Sequence, residues 1–238
     1  MAGASSGLGL ATARALAAEG VHVAICGRDA ARIEAAAASI EGDVVAVVAD
    51  VSTVEGATSF VERAVQALGG ELDILVTNGG GPPPGTFAST ALDAYPIALD
   101  LNLMSAVAMC KTAVPGMQQR GWGRVVAITS IAVRQPIPSL ILSNTARAGL
   151  TGFLKTLALE VAGDGVTVNS LLPGSHDTDR LRSMYGGDLS AVAADTPVRT
   201  VGRPDDFGAV AAFLCSDHAR FITGSAIPVD GGAYRALL

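Results

Sequence analysis

Gly3, Gly7 and Gly9 stand in the run Gly3-Ala4-Ser5-Ser6-Gly7-Leu8-Gly9, directly ahead of an apolar stretch with helical spacing. A glycine-rich turn entering a helix lets bare backbone N–H groups and the positive helix end approach a pyrophosphate. The GxxxGxG spacing is looser than GxGxxG, and a chain with 28 glycines also makes ordinary turns of this kind. The next strand ends Cys26-Gly27-Arg28-Asp29. Sites for NAD commonly place an acid about 20 residues past the glycines, on the ribose 2′-hydroxyl. Here Arg28 offers a planar fork that suits a 2′-phosphate, which favours NADP(H) over NAD(H). Asp29 reads first as the N-cap of the following helix.

These residues need a scaffold, and the hydrophobic pattern supplies one. Helical spacing covers residues 8–19, 29–40, 54–68, 92–117, 142–161 and 205–216. Short apolar runs at 21–26, 44–49, 72–76, 125–128, 166–171 and 226–229 read as strands. Pro96 suits the first turn of the long helix and Pro115 its end. Residues 173–204 read as irregular. Val/Ile/Leu-rich strands separated by helices predict an α/β fold: a Rossmann-type, doubly wound parallel sheet covered on both faces, over a single domain spanning residues 1–238.

The start departs from that plan. A Rossmann unit opens with a strand in the middle of the sheet, yet only Met1 and Ala2 precede the glycine turn. Omitting that strand leaves a gap of two inter-strand spacings, about 10 Å. The first strand is therefore expected to lie upstream, with Met1 as one of its internal residues.

Composition narrows the partners. The 238 residues carry a net charge of −6, with 16% charged and 4% aromatic side chains, and no dense Lys/Arg patch. That argues against nucleic acid. Mean hydropathy is high at +0.44, but uncharged apolar runs fall short of the roughly 18–20 residues that cross a bilayer. The first residues lack a basic stretch of signal-peptide type. A cytoplasmic protein with no membrane partner is expected. Cys26, Cys110 and Cys215 read as small buried hydrophobes, and His22, His176 and His218 have no metal-ligand spacing.

Further features follow the glycine turn in order. Asp50-Val51 ends the third strand, Asn78-Gly79-Gly80 ends the next, and Asn102 lies in the long helix. Ser130 follows the strand at 125–128, and Pro173-Gly174 and Val229-Asp230-Gly231-Gly232 complete the series. Together these resemble the short-chain dehydrogenase/reductase family, particularly 3-oxoacyl-carrier-protein-reductase-like members, over essentially the whole chain. The resemblance implies that Gly3, Ser5, Ser6, Gly7, Leu8 and Gly9 line the cofactor, joined by Asp50, Val51, Asn78, Gly79, Gly80, Pro173, Gly174 and Thr178. It assigns the adenine to Asp50 and a ribose to the backbone at Asn78–Gly80.

The same resemblance exposes a break. The common family pattern has a serine, a tyrosine 13 residues later and a lysine four beyond that. The tyrosine exchanges a proton with the substrate, and the lysine holds the ribose and lowers the tyrosine pKa. Counting from Ser130 reaches Ser143 and then Arg147, with Ala148-Gly149-Leu150 keeping the register. Asn102 and Ser130 keep the family identity. A serine hydroxyl is a far weaker acid than a phenol of reference pKa about 10. Arg147 can hold ribose hydroxyls but does not release a proton. Tyr185 and His176, in the lid-like stretch after Pro173-Gly174, are alternative donors, as is a water; Tyr95 reads rather as packing. Pro82-Pro83-Pro84 and Gln135-Pro136-Ile137-Pro138 suit either a rigid pocket rim or ordinary turns.

Three readings stay open: an NAD(P)-dependent oxidoreductase acting on a small carbonyl or alcohol with an atypical proton donor, a dinucleotide-binding sensor without turnover, and a structural partner in a mixed oligomer. The family commonly forms tetramers. The apolar helix around Leu101, Leu103, Met104, Val107, Ala108 and Met109 suits a homo-oligomer, tetramer or dimer, as well as plain sheet packing.

Overall fold

The computed structural model describes residues 1–237. Strands buried on both faces require β-branched and aliphatic runs, and each such run forms a strand. They are β1 (Val23–Gly27), β2 (Val44–Val48), β3 (Ile74–Asn78), β4 (Gly123–Ile128), β5 (Val166–Pro173) and β6 (Ala226–Val229). All pairings are parallel. The ladders form two groups, β1-β2 and β3-β4-β5-β6.

Residues 1–4 lie between the groups and join them. On one side Met1 N donates to Ala24 O at 2.7 Å, Cys26 N to Met1 O at 3.1 Å and Ala4 N to Cys26 O at 3.1 Å. On the other, Ala2 N donates to Val76 O at 3.0 Å. The order is therefore β2, β1, residues 1–4, β3, β4, β5, β6.

Period-two alternation sends strand side chains to opposite faces. Ala24, Cys26, Leu75, Val125, Ala127 and Val168 pack with α3 (Val54–Ala67), α5 (Ser105–Arg120) and α6 (Ile141–Val161). Val23, Ile25, Val76, Val126 and Ile128 pack with α1 (Gly7–Ala18), α2 (Ala30–Ala38) and α9 (Pro204–Cys215). All three cysteines are free and buried.

Several boundaries differ from the sequence expectation. β1 and β3 each begin two residues later than the apolar runs predict, because pairing rather than hydrophobicity sets a strand's start. The long helix begins at Ala94 as α4 (Ala94–Leu99), opens into a π-turn at Asp100–Met104 and continues as α5 to Arg120, leaving Pro115 inside it. By length and composition Ala94–Arg120 could cross a bilayer, but half of its apolar window is buried in this fold. The stretch expected to be irregular contains α7 (Asp179–Met184) and α8 (Ser190–Asp195).

Candidate functional site

Residues 1–4 and α1 together shape the glycine turn. Gly3 and Gly7 both adopt left-handed backbone, at φ +56° and +57°. A Cβ at Gly9 would stand 2.3 Å from the Gly3 carbonyl oxygen, so the turn closes this tightly only on glycine. Asn78 Nδ2 donates to Gly3 O at 2.9 Å and pins the turn to the end of β3. The Asn78 side chain is thus committed to the turn itself, a role its sequence position did not reveal. Ser6 precedes α1 in extended conformation without a side-chain cap. The first intrahelical bond runs from Leu10 N to Ser6 O, so the amides of Gly7, Leu8 and Gly9 belong to the outward-facing donors of the helix start. Ser5 and Ser6 are half-buried beside them.

Arg28 and Asp50 follow the ends of the paired strands β1 and β2. Arg28 is exposed. Slight burial pushes the Asp50 carboxyl upward, but hydrogen bonds from Ser52 and the Arg28 charge outweigh it and hold the pKa below its usual value. Asp29 caps α2, its carboxylate accepting from Arg32 N at 2.9 Å. Val51 is half-buried just beyond Asp50.

At the end of β3 the bare Gly79-Gly80-Gly81 backbone collects side chains from three elements. Asn102, in the π-turn, donates through Nδ2 to Gly80 O at 2.9 Å, while its buried Oδ1 has no protein partner. Arg147, on α6, donates to Ile128 O at 3.1 Å, Thr129 O at 3.0 Å and Gly79 O at 3.3 Å. Only 7% of Arg147 is exposed. Burial first, and the neighbouring Arg180 charge second, push its pKa down to about 10. It remains a cation at neutral pH. Arg180, at the start of α7, donates to Gly81 O at 3.2 Å, and the sequence reading overlooked it. Its one signal was its place two residues after Thr178.

Ser143 is buried one helical turn before Arg147. Ser130 Oγ accepts from Ala132 N at 3.1 Å and turns the chain out of β4. Pro173 and Gly174 end β5, with Gly174 N donating to Val229 O at 3.0 Å. Thr178 Oγ1 caps α7 by accepting from Leu181 N. Its methyl group would lie 3.4 Å from a Cβ at Gly7, so the lid-like segment sits against the glycine turn.

The two expected alternative proton donors are placed differently from one another. His176 is 6% exposed, with Nδ1 3.2 Å from Gly174 O, its ring edge-on to Phe207 at 5.2 Å and Gly202 closely apposed. Burial lowers its pKa, opposed by the Gly174 hydrogen bond and by Asp206 and Asp230. A neutral, boxed-in imidazole is a packing element. Tyr185 is half-exposed at the end of α7 and lines a pocket of about 410 Å³ with Gln135, Ser175 and Thr196. The two proline-rich loops join through a parallel bridge between Gly85 and Leu140, where Gly85 N donates to Ser139 O at 2.6 Å. The bridge links the two loops directly.

Residues 3–234 match the family model described as Enoyl-(Acyl carrier protein) reductase. The human protein named dehydrogenase/reductase SDR family member 4 is 34% identical over 234 residues, covering 96% of this chain and 84% of that protein. The L-sorbose reductase of Gluconobacter frateurii, solved with NADPH and L-sorbose, is 35% identical with a TM-score of 0.92, covering 100% of this chain and 96% of that one. An NADPH-bound short-chain oxidoreductase from Pseudomonas aeruginosa PAO1, described as containing an atypical catalytic center, is 30% identical with a TM-score of 0.91, covering 99% of this chain and 95% of that one. With the parallel sheet, the glycine turn and these matches together, the chain belongs to the short-chain dehydrogenase/reductase family of oxidoreductases.

Proposed function

We propose that this protein is an NADP(H)-dependent oxidoreductase that interconverts a small carbonyl compound and the matching alcohol. The observation that carries the reading is the glycine turn. It combines two left-handed glycines, a contact at Gly9 that admits no side chain, and outward amides at the start of α1. This cradle fits a pyrophosphate. The exposed Arg28 fork beside it fits a 2′-phosphate. The NADPH-bound relatives support the same cofactor class.

Gly3, Ser5, Ser6, Gly7, Leu8 and Gly9 would hold the pyrophosphate end. Arg28, Asp50 and Val51 would flank the adenosine, and Gly79, Gly80, Pro173, Gly174 and Thr178 the nicotinamide half. When bound, NADPH supplies a hydride to the carbonyl carbon, and the carbonyl oxygen then takes up a proton. Arg147 already donates to three carbonyl oxygens. Its role is to fix the ends of β3 and β4 and to add positive charge, with only its remaining N–H groups left for a ribose. Ser130 and Ser143 offer hydroxyls that orient the substrate oxygen. The orphan Asn102 Oδ1 is an acceptor for an ordered water, which can carry the proton that neither serine readily releases.

The absence of a phenol at Ser143 favours a second reading: a dinucleotide-binding sensor without turnover. Screening small ketones and aldehydes for NADPH oxidation separates the two. The oxidoreductase reading expects turnover that falls at least about tenfold in Asn102→Ala. A protein that binds NADPH yet oxidises it with no carbonyl, while Ser143→Tyr/Arg147→Lys gains activity on the same panel, would instead be a sensor.

A further inference from the structure

Two guanidinium groups converge on the bare backbone that follows β3. Arg147 reaches it from α6, donating to Gly79 O at 3.3 Å, and Arg180 from α7, donating to Gly81 O at 3.2 Å. The Arg180 fork lies so close over Gly81 that a Cβ there would collide with it. The two acceptors are two residues apart in the chain, hence at most about 7 Å. Like charges held this close raise the local positive potential, and the Arg180 charge accordingly helps to lower the Arg147 pKa.

No acid of the chain neutralises this pair. Among the described residues neither Arg147 nor Arg180 forms an ion pair, and Asp177, three residues before Arg180, is taken by Arg182 at 2.6 Å. The two cations differ in access. Arg147 is buried with bonds to three carbonyls, whereas Arg180 is exposed and spends its fork on one neutral acceptor. A carboxylate is a better partner for that fork, since it accepts two parallel charge-assisted bonds. Position separates Arg180 from the pyrophosphate cradle. Thr178 of the same segment meets the glycine turn at Gly7, while Arg180 reaches Gly81, three residues beyond the Asn78 that pins that turn.

We propose that Arg180 sets the specificity of this site by anchoring a substrate carboxylate, so that the carbonyl compound taken by the protein is a short-chain oxo acid. This rests on the oxidoreductase reading above. The carboxylate exchanges for Gly81 O on the Arg180 fork, and the carbonyl oxygen turns toward the Ser130 and Ser143 hydroxyls and the Arg147 charge. An anion gains nothing beside the orphan Asn102 Oδ1, itself an acceptor next to Gly80, so the carboxylate belongs at the Gly81 end. The short reach between the two acceptors suits a 2-oxo or 3-oxo acid.

The test titrates the NADP+-loaded protein, which has no hydride to give, with pyruvate and acetoacetate and with their uncharged methyl esters. At least one acid is expected to bind about tenfold or more tightly than its ester. Arg180→Gln should erase that preference while NADP+ affinity stays within about twofold, and Arg180→Lys should restore it in part, keeping the charge without the fork. Acids and esters that bind alike overturn the proposal. So does an Arg180→Gln variant that loses NADP+ affinity about tenfold and keeps its preference for the acid, because Arg180 then serves the cofactor. Acid preference that depends on Arg180, with no NADPH oxidation by either acid, upholds the anchor and contradicts only the oxidoreductase reading.

Discussion

Arg147 shows how far one side chain's role depends on its surroundings. Its place four residues after Ser143 suggested a cation aimed at a ribose, but three of its N–H bonds end on backbone carbonyls. Carbonyl acceptors are not written in side-chain identities, so that destination could not be read from the sequence. The capping role of Asp29 could, because an acid just before a helical run has one dominant local use.

Among the elements, the long apolar helix and the parallel strands were legible from period and composition. The π-turn that presents Asn102 was not, since the residues at Asp100–Met104 carry no Gly or Pro to mark an interruption. The short helices α7 and α8 escaped because six residues are too few for a periodic pattern, although Thr178 stood ready as a cap. The turn entering α1 was recognised by its glycines, and its geometry now gives a sign to a substitution. Gly9→Ala gains about 1 kcal/mol of helix propensity. Against that, the new Cβ would lie 2.3 Å from Gly3 O, and overpacking of this kind costs about 1–3 kcal/mol. The clash should win. The expected variant melts at a lower temperature and binds NADPH at least about tenfold more weakly, as read by thermal unfolding and fluorescence titration.

Across the whole molecule, the doubly wound plan follows from the continuous apolar runs of strands hydrophobic on both faces, whereas which residues of each run enter which of the two core layers is seen only in the structure. Met1 was expected in the middle of the sheet, and the hydrogen bonds of residues 1–4 to Ala24, Cys26 and Val76 lie there. The central claim is that the glycine turn and Arg28 form an NADP(H) site, and titration with NADPH and then NADH, followed by nucleotide fluorescence, tests it most directly. The account expects saturable binding of both, with NADPH tighter by about tenfold or more and that preference lost in Arg28→Ala. Failure of either nucleotide to bind the folded protein would contradict it.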